Sequence, residues 1–159
     1  MRNRRHGGLL PGWLGRRGLK IRSATTAYAP RLCPLLGELG YPSEEEQVTE
    51  RLSRVLADPG GRLFVAEEGG AILGFAAASV VPLVERDTPL CRLTAIAVAP
   101  GARRRGVGRS LVEQVEDHAR EVGCDRLEVT SANRREEAHS FYADLGFEET
   151  PRRFLKPVG

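Results

Sequence analysis

The spacing of apolar residues changes along the chain, and each change predicts an element. Leu19-Lys20-Ile21-Arg22 alternates apolar with basic residues, the period of a short strand. Ala27 to Leu39 reads as a helix that Gly40 and Pro42 stop. A second helix opens at Ser43, with Glu46 three residues on completing a capping box, and runs to about Leu56. Its Val48, Leu52, Val55 and Leu56 share one face, and Asp58-Pro59-Gly60-Gly61 ends it.

The pattern then shortens to strands. Arg62 to Glu67 and Ala71 to Val81 form a hairpin about the turn Glu68-Gly69-Gly70. Residues 82–89 make a charged loop, and Leu90 to Val98 reads as a central strand stopped by Pro100. The clearest helix starts near Gly106, with Leu111, Val112, Val115, Ala119 and Val122 as its apolar stripe and Gly123 at its C-cap. Arg126 to Thr130 follows that helical crossover, so it should lie parallel to the Leu90–Val98 strand. A last helix spans about Arg134 to Leu145, capped by Asn133 with Glu136. Phe147 to Lys156 should form one or two closing strands. The expected class is α/β (α+β), with a mixed, mostly antiparallel sheet between helices.

Length and charge narrow the picture. At 159 residues the chain reads as one domain, residues 19–159, behind a basic segment, residues 1–18. Residues 1–37 hold seven Arg, one Lys and no acid, while the remainder holds 16 basic against 21 acidic residues. A formal net charge of +3 thus hides a mildly acidic domain with a basic front end, which argues against nucleic-acid binding. The first segment is too broken by Pro and Gly for a secretory signal and reads as a disordered tail or as residues ahead of the native start. No stretch has 18 apolar residues in a row, so no membrane span is expected. Cys33, Cys91 and Cys124 form no CxxC pair, so no metal site is expected, and they suit a reducing cytoplasm.

Chemistry concentrates where the central strand gives way to the clearest helix. Val98-Ala99-Pro100-Gly101-Ala102 leads into Arg103-Arg104-Arg105-Gly106-Val107-Gly108-Arg109. A helix N-terminus presents unpaired N–H groups and the positive end of the dipole, and glycines let an anion approach the backbone. Phosphate binding is one reading and a solvated Arg-rich turn is the other. The dinucleotide pattern fails at Leu111, and no Walker GK[ST] is present.

The RxxGxG motif at Arg103–Gly108, behind an apolar strand ending in V-x-P, resembles the acetyl-coenzyme A signature of the GNAT family of N-acetyltransferases. Thr130 to Phe154 (TSANRREEAHSFYADLGFEETPRRF) is similar to that family's later segment, an Asn cap and an A-x-x-F-Y-x-x-x-G-F helix. With the matching order of elements, the likeness covers about residues 19–157.

The resemblance implies a splayed parallel strand pair, helices on both faces of the sheet, and a pantetheine arm lying in the opening. Backbone groups of Ile96, Ala97 and Val98 would bind that arm, and a backbone N–H near Val98 would stabilise the oxyanion. Amides of Arg104, Arg105, Gly106, Val107, Gly108 and Arg109 would hold the pyrophosphate, with Arg103 and Arg104 as side-chain partners. Asn133 matches a pantetheine contact and serves equally as a helix cap. Tyr142 matches the family's general acid for the departing thiolate, and a phenol of pKa near 10 suits that task. A purely packing role along the Ala138–Phe141–Leu145 stripe is the alternative.

The base is not evident. Some histone-modifying relatives place a Glu early in the fourth strand, and the matching position here is Arg92. Glu85, Asp87 and Glu44 to Glu46 are the remaining carboxylates considered. The implied activity is acetyl transfer from acetyl-coenzyme A to a primary amine, of a small molecule first and of a protein or peptide second. A coenzyme A-binding module without turnover belongs to a different class. No metal is implied, and a homodimer is left open.

Overall fold

The computed structural model describes residues 18–130, 136–150 and 154–159. The strands are β1 (Lys20–Ser23), β2 (Gly61–Glu68), β3 (Ala71–Val81), β4 (Leu90–Val98) and β5 (Arg126–Val129). The helices are α1 (Ala29–Glu38), α2 (Glu45–Ala57), α3 (Val107–Glu121) and α4 (Glu136–Asp144). The sheet order is β1-β2-β3-β4-β5, antiparallel through β4 and parallel between β4 and β5. The chain divides into two units, residues 1–128 with the sheet and α1 to α3, and residues 129–159 with α4.

Local chemistry accounts for most boundaries. Gly69 and Gly70 both take positive φ, 58° and 82°, which a two-residue hairpin between right-twisted strands requires. α1 begins later than its sequence suggests, because Thr26–Tyr28 form one turn of 3-10 helix ahead of Pro30. α2 is capped one residue later than expected. Glu44, not Ser43, is the N-cap, and its N–H donates to Gln47 Oε1 at 3.0 Å. The Ser43 hydroxyl instead donates to the Tyr41 carbonyl at 2.9 Å.

Helices cover both sheet faces. α1 and α2 enclose Leu32, Leu35, Val48 and Leu52 with Leu63, Val65, Phe75 and Ala97. α3 lies on the other face and buries Val107, Leu111, Val112, Val115 and Ala119, each large side chain contributing about 1.5–3 kcal/mol. The buried stripe ends at Ala119, short of Val122. Val122 is 39% exposed at the C-cap, while His118, outside the expected stripe, is 7% exposed against Phe64.

The closing strands expected over Phe147 to Lys156 do not form among the described residues. Glu148 to Thr150 are exposed polar residues, and residues 154–159 are exposed throughout. Phe154, Leu155 and Val158 are apolar but stay exposed, so no buried face fixes a strand register there. Residues 1–17 and Asn133 lie outside the described residues, so the tail and Asn133 readings are carried only by the sequence.

Candidate functional site

β4 carries an irregularity that sequence reasoning missed. Ala77 pairs with Ala95 and Ala78 with Leu93, so Thr94 is an extra residue on β4. Such a bulge bends its strand and leaves the extra residue out of the ladder. The Thr94 hydroxyl donates to the Ala77 carbonyl at 3.1 Å and closes the gap.

Beyond the bulge, the ladder decides which backbone groups remain open. Val98 stands across from Gly74, and the Ala99 N–H donates to the Leu73 carbonyl at 2.8 Å. In an antiparallel pair this makes Val98–Gly74 a non-hydrogen-bonded pair and Ala97–Phe75 a hydrogen-bonded one. The N–H and C=O of Ile96 and Val98 therefore point away from β3, toward the β5 side. Those of Ala97 enter the β3 ladder. The expectation that Ala97 offers backbone groups to a ligand is corrected by this alternation.

On the β5 side the two strands differ in reach. The Arg92 Nε donates to Glu128 Oε1 at 2.9 Å and links the early part of β4 to β5. β5 ends at Val129, one residue past Glu128, whereas β4 continues six residues past Arg92. Arg92 cannot act as a base, yet it brings a carboxylate from β5 to its side. Nothing in the sequence pattern of either strand signals that pairing.

At the end of β4 the chain makes a turn of 3-10 helix, Pro100–Ala102, and then enters α3. Arg104 has φ 60° and Gly106 φ 78°, so two left-handed residues flank Arg105. Turns of this kind aim successive N–H groups to one side. The first bond of α3 runs from the Ser110 N–H to the Gly106 carbonyl at 3.0 Å, and the N–H groups of Val107, Gly108 and Arg109 precede it.

The four arginines here do not share one role. Arg105 pairs with Glu68 of β2. Arg103 Nη2 lies 3.5 Å from Glu38 Oε2 at the end of α1, and its Nε donates to the Val98 carbonyl at 3.4 Å. Arg104 and Arg109 are exposed and have no acidic partner among the described residues.

The other candidates fall elsewhere. Glu85 and Asp87 are exposed in the loop that enters β4 at Leu90, six residues and about 20 Å of strand before Ile96. Glu44 is taken up as the α2 N-cap, and Glu45 and Glu46 are exposed in the first turn of that helix. In the second unit Tyr142 is half-buried, with its ring edge-on to Phe141 at 5.2 Å and Phe147 at 5.5 Å. Cys91 is fully buried, and that burial, with Cys124 nearby, pushes its thiol up to about 11. Burial likewise raises Cys124, with Asp125 adding to it. Among the described residues no group of three His, Cys, Asp or Glu could hold a metal, and no helix is long and apolar enough to cross a membrane.

Residues 28–147 match the acetyltransferase (GNAT) family. The chain is 33% identical over 136 residues to an aminoglycoside N(6')-acetyltransferase type 1 of Stenotrophomonas maltophilia, covering 83% of this chain and 88% of that one. It is 26% identical to an aminoalkylphosphonate N-acetyltransferase of Salmonella typhimurium, over 87% and 91% of the two chains. Among solved structures, an aminoglycoside N-acetyltransferase in complex with CoA shares the fold at a TM-score of 0.79 and 24% identity, covering 94% of this chain and 99% of that one.

Proposed function

The chain belongs to the GNAT family of acetyltransferases, and from that premise we propose that it moves the acetyl group of acetyl-coenzyme A to a primary amine of a small molecule, by direct attack in a ternary complex. The observation that carries this reading is the edge of β4 beyond the Thr94 bulge, which β3 leaves unpaired, ending beside α3 N–H groups that take no partner among the described residues. An extended arm with amides fits the first, and a diphosphate fits the second. The donor, when bound, supplies the activated thioester.

The protein groups then have separable tasks. N–H groups from Arg104 to Arg109 hold the diphosphate, and Arg104 and Arg109, which have no acidic partner among the described residues, add their charges. The arm enters from the helix end, so Val98 meets it first. Ile96 offers the next outward N–H, about 7 Å deeper along the strand. Because the thioester lies at the far end of the arm, the oxyanion donor is assigned to Ile96 rather than Val98, from which it moves by one outward pair. The Tyr142 phenol is the proton donor to the departing thiolate. The buried Cys91, held protonated, supports direct attack over an acyl-cysteine route.

An amine of pKa near 10 must shed a proton before attack, a cost of about 4 kcal/mol at pH 7 without help. Glu128, brought beside β4 by Arg92, is the carboxylate assigned to the acceptor side. The excess of acidic residues after residue 37 favours a cationic acceptor. The two relatives named above, an aminoglycoside and an aminoalkylphosphonate acetyltransferase by name, support a small amine over a protein one.

Calorimetry with coenzyme A tests the donor site. Gly108→Val places a branched side chain at the second residue of α3, where the diphosphate meets the backbone. Binding should disappear while the circular dichroism spectrum stays that of the wild type. Unchanged affinity removes the α3 N-terminus from the site.

A further inference from the structure

Arg103 bridges two groups at once. Its Nε donates to the Val98 carbonyl at 3.4 Å, and its Nη2 reaches Glu38 Oε2 at 3.5 Å. The Val98 carbonyl is one of the β4 edge groups left open by the ladder. Arg103 therefore covers an acceptor that an amide of the pantetheine arm would use. Its own charge is meanwhile turned from the α3 N-terminus toward α1.

Glu38 has no helix-stabilising reason to be where it is. It is the last residue of α1, where a negative charge opposes the helix dipole, and the last turn of α1 holds no basic residue. Its partner is Arg103, 65 positions on in the chain. Both contacts of Arg103 are long, and both side chains of the ion pair are about half exposed, so each interaction is weak. A diphosphate offers a guanidinium a stronger, charge-assisted pair.

We propose that Glu38 is a positioning residue of the donor site, one that holds Arg103 on the Val98 carbonyl and so sets how tightly coenzyme A binds. This rests on the assignment of the β4 edge and the α3 N-terminus to that ligand. Removing the Glu38 charge frees Arg103 to swing toward the diphosphate and uncovers the Val98 carbonyl. Both changes act in one direction, toward tighter binding.

The test is calorimetry of coenzyme A with the full chain in four forms: wild type, Glu38→Gln, Arg103→Gln and the double variant. Glu38→Gln should bind about two- to fivefold more tightly than wild type, the size expected of an exposed ion pair. In the Arg103→Gln background the same change should give no gain. The melting temperature of Glu38→Gln should stay at or above that of wild type, because a charge opposing the dipole is gone. Equal or weaker binding by Glu38→Gln, or a gain that persists without Arg103, overturns the proposal. If wild type binds and Glu38→Gln shows no gain, the donor-site reading stands and only the role of Glu38 falls. If wild type binds no coenzyme A, both fall.

Discussion

Gly74 of β3 faces Val98 of β4 across the ladder, and the first turns of α3 fill the space where a Gly74 side chain would be. A Cβ at Gly74 would sit 2.7 Å from the Ala97 carbonyl oxygen, 3.1 Å from Leu111 Cδ1 and 3.3 Å from Val107 Cγ1. The missing methyl lets the N-terminus of α3 settle against the end of β4. The open strand edge and the open helix terminus are neighbours for that reason.

Gly74→Ala should therefore destabilise the protein by about 1–3 kcal/mol, the usual cost of forcing atoms into a filled space. The urea midpoint reads this directly, and coenzyme A affinity should fall with it as α3 is pushed from β4. An unchanged midpoint would mean the contact relaxes freely and does not set the position of α3.

Arg104 is strained in a different way. Its φ of 60° costs a residue with a Cβ about 1–2 kcal/mol, and glycine does not bear that cost. Arg104→Gly should keep the urea midpoint at or above that of wild type while weakening coenzyme A binding several-fold through the lost charge. A less stable variant would show that the Arg104 side chain contributes contacts that outweigh the strain.

His118 gives the stability a pH dependence. Burial lowers its pKa below the usual histidine value, Arg62 adds to that effect, and Glu121 opposes it. The unfolded chain thus takes up the proton first. Stability is fully present above about pH 6.5, and it declines as pH falls through that value toward the folded one. The urea midpoint should drop between pH 8 and 5.5, and His118→Leu should flatten the drop. The Nε2 atom is buried with no hydrogen-bond partner among the described residues, so the leucine gives up no bond there. An equally steep decline in the variant assigns the pH dependence elsewhere.

Tyr142→Phe keeps the ring that sits edge-on to Phe141 and Phe147 and removes only the hydroxyl. If the phenol delivers the proton to the thiolate, turnover should fall about 10²-fold with the Michaelis constant for acetyl-coenzyme A nearly unchanged. The comparison needs an amine for which chemistry limits the rate. Normal turnover there takes Tyr142 out of the mechanism.

The order of elements was legible in the sequence because each depends on neighbours within a few residues. Gly69-Gly70 selects a tight hairpin, Gly106 and Gly108 open a helix, and the stripe from Leu111 to Ala119 can only be an amphipathic helix. The same local logic misled at the chain's end, where Phe147 to Lys156 looks strand-like but buries no face among the described residues. It also misplaced the α2 cap by one residue, since Ser43 and Glu44 are both competent there and only the Glu44–Gln47 pair shows which is used.

Side-chain period is written in a strand's own sequence, but the direction of its hydrogen bonds is not. That direction depends on which residue of the neighbouring strand stands opposite. Ile96, Ala97 and Val98 look alike in sequence, yet the pairing of Val98 with Gly74 turns Ala97 inward and leaves the other two open. The Thr94 bulge, Glu128 beside Arg92 and Glu38 beside Arg103 likewise join residues 17, 36 and 65 positions apart. The sequence by itself determined that a strand should end at a helix able to meet a phosphate. Tertiary structure decided which backbone groups and charges at that junction stay unpaired among the described residues, because ladder bonds and distant ion pairs take up the rest.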